Sequence, residues 1–373
     1  MYADYNEKLA KLIVQYATNV QPDDLVLIQG SINSEPLIKE VYSETLHAGG
    51  HIMMVRFKFE GQDEMFYTIA SDQQLQHVHP LEIEIVKTIN VMMSIHSEYN
   101  TRSLTNISAE KRLLAKEARK EISNIFLQRA ANKDLRWNIA PYPCNAHAQE
   151  ANMGQMEYQE FVYRALNLHQ DDPVEYWRKI EKDQKKIVEI LDKGSVFQIL
   201  GEDTNLTLAI ENRKWINSCG HENLPDGEVY TGPHEEGVNG TIRFTFPGIY
   251  QGQEIEDIRL TFKDGRVINH EAVKGEELLE KILTIPNANI LGELAVGTNY
   301  NINKFTKNML FDEKMGGTIH LALGSGYPES GSKNQSAIHW DILKDMNDSN
   351  AKILLDDEVI YQAGKWVNPK ENY

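Results

Sequence analysis

The spacing of apolar residues changes along this chain, and the change marks its parts. Tyr5, Leu9, Leu12, Ile13 and Tyr16 recur at helical spacing and predict an opening helix. Pro22-Asp23-Asp24 breaks that pattern, and the unbroken apolar run Leu25–Ile28 reads as a buried strand. Ser34-Glu35-Pro36 has the make-up of a helix start, because proline lacks an amide that the first turn would leave unpaired. The helix it opens runs to about Ala48 and stops at Gly49-Gly50. His51–Phe57 reads as the next strand. Strand, helix and strand make a βαβ unit, which implies parallel strands and a right-handed crossover. Farther along, Ile89–Ile95 and Trp137–Ala140 read as strands, Ser108–Ala131 as one long charged helix and Met156–Leu166 as an amphipathic helix.

Asp172-Pro173-Val174-Glu175 has the form of a capping box with proline in the first turn. It predicts a helix to Lys193, ended by Gly194. After that point strands become frequent and turns tight. Lys263-Asp264-Gly265-Arg266 and Leu355-Asp356-Asp357-Glu358 are hairpin signals, and only Glu276–Leu283 keeps a clear helical period. The expected fold class is α/β. An N-terminal open α/β domain, residues 1–188, precedes a β-rich C-terminal domain, residues 189–373.

Charge and composition narrow the function classes. With 38 Lys and Arg against 55 Asp and Glu in 373 residues, the net charge is −17. A surface of that sign repels phosphate backbones, so a nucleic-acid role is not expected. The first residues interleave Lys and Glu with apolar positions and lack the uninterrupted apolar core of a signal peptide. No stretch reaches the roughly 18 apolar residues that a membrane span needs. The two cysteines, Cys144 and Cys219, form neither a disulfide framework nor a metal knuckle, and fit reduced thiols in a cytoplasmic protein.

The candidate chemistry lies in the last third. Glu228 is the first residue to emerge from the turn Pro225-Asp226-Gly227, a rigid position for a ligand and equally a place for a solvated carboxylate. Glu293 sits inside the apolar run Leu291–Gly297, where a buried charge needs a partner unless it faces solvent. His320 occupies a similar place within Gly316–Gly324, with Glu313 upstream in a charged turn. A histidine there is either a hydrogen-bonded core residue or a metal ligand. In His339-Trp340-Asp341 the two polar residues are i and i+2, so a strand points both to one face. They can share an ion, or Asp341 can orient the imidazole. The intervening loop 324–334 superficially resembles a P-loop, but Ser332 stands where the lysine should be. It reads instead as the flexible rim of a cleft, with the Tyr327 phenol turned inward to hydrogen-bond an oxyanion. No GxSxG elbow occurs, and neither cysteine has the setting of a nucleophile. Carboxylates, imidazoles and a phenol together suit a two-metal hydrolytic centre.

In order along the chain, NLPDGEVYT, LGELAVGTN, FDEKMGGTIHLALGSGYPESG and SAIHWD resemble the motifs of the thermophilic-type metalloaminopeptidases, the aminopeptidase T and aminopeptidase S group. The YQEFVYRA helix and the opening βαβ unit fit the same family, so the resemblance covers essentially the whole chain. It implies a two-domain, homodimeric, cytoplasmic exopeptidase acting on peptides with a free N-terminus through two divalent ions per chain, usually zinc or cobalt, with manganese or magnesium as possibilities. It also makes the C-terminal domain the catalytic, metal-binding one. It assigns Glu228, Glu293, His320, His339 and Asp341 as metal ligands, Glu293 as the bridge and Tyr327 as the active-site tyrosine. Glu313 departs from the pattern. The family's glutamate stands closer to the histidine, whereas here Met315 and two glycines intervene, leaving Glu313 open between ligand, base and bordering residue. Two other readings share the motifs: a metal-dependent hydrolase of another amide or of a phosphoester, and a non-catalytic binding protein that has kept the fold.

Overall fold

The computed structural model describes residues 2–367. The chain forms two compact units, one made of the residues up to Arg178 together with Gly220–Pro225, the other of Lys179–Cys219 and the described residues from Asp226 onward. The helix Pro173–Leu191 runs through the boundary between them.

The first unit is built on four parallel strands, β1 (Leu25–Ser31), β2 (His51–Lys58), β3 (Val91–His96) and β4 (Arg136–Pro141), in the order β2-β1-β3-β4. This is the arrangement that right-handed βαβ crossovers produce. The segment 220–225 belongs to this unit because it lies beside β4. The Ile139 amide donates to the Glu222 carbonyl (2.8 Å) and the Leu224 amide to the Ile139 carbonyl (2.8 Å). Two expectations change here. The opening helix is α-helical only over Tyr2–Lys11 and continues as a π-helical turn, Leu12–Ala17, in which five of six residues are buried. The wider turn closes where the Thr18 amide and hydroxyl both reach the Ile13 carbonyl. The long helix over Ser108–Ala131 is two helices, Ala109–Ala118 and Lys120–Ala131, broken at Arg119. The Arg119 guanidinium donates to the carbonyls of Leu75 and Ala115 and lies 5.8 Å from the Phe66 ring centre. That anchorage fixes Arg119 outside helical geometry. Three further helices, Gln62–Ile69, Asp72–Gln76 and Pro80–Thr88, fill the stretch between β2 and β3.

The second unit is a sandwich of antiparallel sheets. One sheet has eight strands: β5 (Val196–Gly201), β6 (Thr204–Ala209), β9 (Val238–Arg243), β12 (Arg259–Lys263), β13 (Arg266–Glu271), β17 (Lys352–Leu355), β18 (Glu358–Gln362) and β19 (Lys365–Trp366). Their order is β13-β12-β9-β6-β5-β17-β18-β19. The other sheet has β7 (Ile216–Ser218), β8 (Glu228–Thr231), β14 (Leu291–Gly297), β15 (Thr318–Gly324) and β16 (His339–Asp345), ordered β16-β15-β14-β8-β7. A small hairpin joins β10 (Gly248–Tyr250) to β11 (Gln253–Ile255). The expected hairpins close β12 to β13 and β17 to β18. Both central residues of each turn have positive φ, Asp264 and Gly265 in one, Asp356 and Asp357 in the other. Asp356 tolerates this because its carboxylate accepts from the amides of Ser195 and Val196. Between the sheets lies one continuous core, to which the five-stranded sheet contributes Val229, Leu294, Val296, Ile319, Leu321, Leu323, Trp340 and Ile342. The eight-stranded sheet contributes Phe197, Ile199, Leu206, Leu208, Val238, Ile242, Leu260, Phe262 and Ile353. Each of these apolar residues of the five-stranded sheet lies an odd number of positions, one or three, from a polar residue of interest on its own strand.

Candidate metal centre

Strand alternation and register together assemble the site. In the five-stranded sheet Ala295 pairs with His320, Glu293 and Asp341 both pair with Ala322, Gly297 pairs with Glu228, and Gly324 pairs with His339. Directly paired residues share a face, and residues two apart on one strand share a face. Glu228, Glu293, His320, His339 and Asp341 therefore all stand on the face turned away from the sandwich core. Glycines open the way to the two glutamates. Gly227 enters β8 with φ +124°, and a Cβ there would meet the Asn299 Cβ at 2.9 Å. A Cβ on Gly292 would lie 2.3 Å from the Ser325 carbonyl oxygen.

The side chains converge. His339 Nε2 lies 3.1 Å from Glu293 Oε2 and 3.3 Å from Asp341 Oδ1. His320 Nε2 lies 3.4 Å from Glu228 Oε2, 3.6 Å from Glu293 Oε1 and 4.0 Å from Asp341 Oδ1. Three triads bring their donor atoms within 4.8 Å of one another: Glu228 with Glu293 and His320, Glu293 with His339 and Asp341, and Glu313 with His320 and Asp341. Glu313 thus joins the cluster, arriving from the end of the short helix Met309–Asp312 rather than from a strand. The Tyr327 ring packs 5.0 Å from the His339 ring and 5.3 Å from the Tyr230 ring, centre to centre. The loop that carries it is hydrogen-bonded to its surroundings. The Asn334 amide group donates to the carbonyls of Gly324 and Asn287, and Ser325 and Ser336 exchange hydrogen bonds through the Ser325 hydroxyl.

Three residues of this neighbourhood escaped the sequence reading. Tyr230 shares the Glu228 face, two residues along β8, a relation that alternation makes legible. Asp226 is wholly buried. Lys314 is buried with its Nζ 2.5 Å from Glu228 Oε1, 2.7 Å from Glu313 Oε1 and 3.7 Å from Asp226 Oδ1. Burial works against its charge, but the carboxylates of Glu228, Glu313 and Asp226 outweigh it and hold the ammonium well above its ordinary pKa.

The charge balance calls for more cations than Lys314. Burial would lower the pKa of His320, yet Glu293, Glu228 and Asp341 lift it to about 9. His339 is likewise lifted to about 11, against burial, by Asp341 and Glu293. Burial drives Glu228 up to about 8 despite Lys314 and His320. Burial also raises Glu313. Glu293 goes the other way: hydrogen bonding to both imidazoles outweighs burial and holds it down at about 2. Two carboxylate oxygens, Glu228 Oε2 and Asp341 Oδ1, are buried with no hydrogen-bond donor. Buried anionic atoms without donors cost several kcal/mol each, roughly, unless a cation faces them. The second ring nitrogen of His339, Nδ1, meets the Ser325 carbonyl at 2.7 Å. That contact places a proton on Nδ1, so that Nε2, protonated among the carboxylates here, is the nitrogen that would offer its lone pair once a cation displaced that proton. Mixed imidazole and carboxylate donors of this kind fit divalent transition ions.

Fold and site together define a metalloenzyme class, and comparison with known proteins gives its family. Residues 3–366 match the model of the thermophilic metalloprotease family (M29), and the chain belongs to that family. Aminopeptidase 2 of Geobacillus stearothermophilus is 27% identical over 97% of both chains. Aminopeptidase T of Thermus aquaticus is 28% identical over 62% of this chain and 65% of its own. Among solved structures, wild-type AmpT of Thermus thermophilus superposes with a TM-score of 0.84 at 22% identity, covering 99% of this chain and all of its own. A 2,5-dihydroxypyridine dioxygenase of Pseudomonas putida shares the fold at a TM-score of 0.62 and 12% identity, covering 99% of each chain. The expected α/β architecture and the family resemblance both hold. One scaffold carrying such different named activities means that the side chains, not the fold, must carry the functional argument.

Proposed function

We propose that this protein is a metal-dependent aminopeptidase that removes the N-terminal residue from peptides, using a hydroxide activated by two divalent cations, zinc or cobalt before manganese or magnesium. The observation that carries the reading is the membership of Glu293 in two triads at once, with Glu228 and His320 on one side and with His339 and Asp341 on the other. A carboxylate so placed has one oxygen for each of two cations. Glu228, Glu293, His320, His339 and Asp341 would hold them, with Glu313 completing the His320–Asp341 side. Bound there, the cations would supply a nucleophile at neutral pH and polarise the scissile carbonyl.

The chain's own residues do the rest. Although the Tyr327 residue is 39% exposed, desolvation beside the cluster raises its phenol above the usual pKa, and the nearby carboxylates of Glu293 and Asp341 add to this. It therefore keeps its proton and can donate a hydrogen bond to the oxygen of the tetrahedral intermediate. Glu313, its pKa raised chiefly by burial, is one candidate to carry the proton to the leaving amine, with Glu293 as the other. The surplus of carboxylates attracts the ammonium of a free peptide N-terminus. The names of the relatives, all aminopeptidases, support the substrate class.

The test is hydrolysis of leucine p-nitroanilide against its N-acetylated form, before and after chelation and re-addition of zinc or cobalt. The reading expects cleavage only of the free amine and only with metal. Equal cleavage of both substrates, or activity that survives complete metal removal, would overturn it.

A further inference from the structure

The three triads differ in one respect. Glu228 and Glu313 each give one carboxylate oxygen to the Lys314 ammonium, at 2.5 and 2.7 Å. Glu293, His339 and Asp341 have no ion pair with Lys314. Of the three triads, one contains Glu228, one contains Glu313, and the third contains neither. A fixed positive charge therefore already occupies part of the coordinating capacity on the Glu228 and Glu313 side. The side chain cannot easily withdraw. It is 2% exposed, Asp226 lies 3.7 Å from its Nζ, and the backbone here is held by hydrogen bonds from the Lys314 amide to the Phe311 carbonyl and from the Met315 amide to the Asp312 carbonyl.

We propose that Lys314 makes the two cation positions unequal. A cation at Glu293–His339–Asp341 is bound tightly. A cation on the Glu228 and Glu313 side meets carboxylates that already share their charge with the Lys314 ammonium, Glu228 through Oε1 while its Oε2 faces His320, and is bound weakly and exchangeably. Two positive groups a few ångströms apart repel, and they must also divide the negative charge of the same carboxylates. The inference rests on the two-cation reading above and adds that loading is stepwise, with Lys314 as a positioning residue that sets the affinity of the second step.

The experiment is metal binding by the full chain, stripped with chelator and titrated with Zn²⁺ by calorimetry. Metal content is also measured after gel filtration in metal-free buffer. The expected result for the native chain is about one retained ion, with a second class weaker by on the order of 100-fold. Lys314→Met should tighten the second class by about tenfold or more and leave the first unchanged. A purely structural lysine would instead weaken both classes together. His339→Gln should remove the tight class, and it keeps the idea testable if Lys314→Met fails to fold. Two retained ions of equal affinity in the native chain, or an unchanged weak class in Lys314→Met, would overturn the inference while leaving the two-cation reading intact. Binding of no ion at all would overturn both.

Discussion

The two faces of the five-stranded sheet use the same strands for opposite purposes. On β14, Leu294 and Val296 enter the sandwich core, while Glu293 and Ala295 face the other way. The same alternation sets Val229 against Glu228, Ile319 and Leu321 against His320, and Trp340 against His339 and Asp341. Seven of seven residues are buried on both β14 and β15, so on these two strands the polar face is no more solvated than the apolar one. Burial means different things on the two sides. For Leu294 it is the source of stability. For Glu293 it is a cost that bound cations would offset. The lesson is that burial alone does not separate core from site; the donor chemistry at each position does.

The largest effect should come from breaking the polar face at its centre. Glu293→Ala should abolish retained metal and lower turnover by about two to four orders of magnitude, with cooperative unfolding kept. Metal analysis beside kinetics checks it, and a variant that keeps its metal and its rate would break the contrast between the faces. One residue along, Leu294→Ala should do the reverse. It should cost about 2–5 kcal/mol of stability through the cavity it leaves, read by denaturant unfolding, while the folded fraction still binds metal. Tyr327→Phe removes a single oxygen from the polar side. Turnover should fall by about 10²–10³-fold with KM and metal content little changed, and a large loss of metal instead would make the tyrosine a structural residue.

The smallest effect concerns an imidazole and a carboxylate with a simpler setting, in the first unit. His147 Nε2 lies 3.6 Å from Glu98 Oε2. Burial lowers the His147 pKa, but Cys144 and Glu98 outweigh it and lift it from 6.5 to about 9. A raised histidine pKa stabilises the fold fully below the unfolded value and loses that contribution as pH climbs through the folded one. His147→Gln should therefore lower the melting temperature at pH 6 and have little effect at pH 9.5. Because Glu98 is half exposed, solvent screening limits the difference to about 0.5–1 kcal/mol. A deficit that is the same at both pH values would show that packing, not the ion pair, is at stake.

Much of this was legible in the sequence. The run Leu25–Ile28, the Asp172 cap with Pro173 in the first turn, and the Asp-Gly and Asp-Asp turns at 264–265 and 356–357 act through a few neighbouring residues, and the elements they mark are in the structure. Two capping boxes, Ser71 with Gln74 and His79 with Glu82, were equally local and were passed over, so the helices they open went unread. The break at Arg119 could not be read, because its cause is a carbonyl more than forty residues away in sequence, at Leu75.

The sequence by itself determined which residues could serve: carboxylates and imidazoles on apolar strands, and an i, i+2 pair at His339 and Asp341. Side-chain alternation is a property of one strand, and so it is written locally. Only the tertiary structure decided that these side chains meet, because the register between β8, β14, β15 and β16 arises from pairings across as many as 69 positions of chain, as between Gly297 and Glu228. It alone also put Lys314 among them. An ammonium beside Glu313 in sequence reads as an exposed charged turn, and it becomes part of the centre only when Glu228, brought by another strand, closes over it.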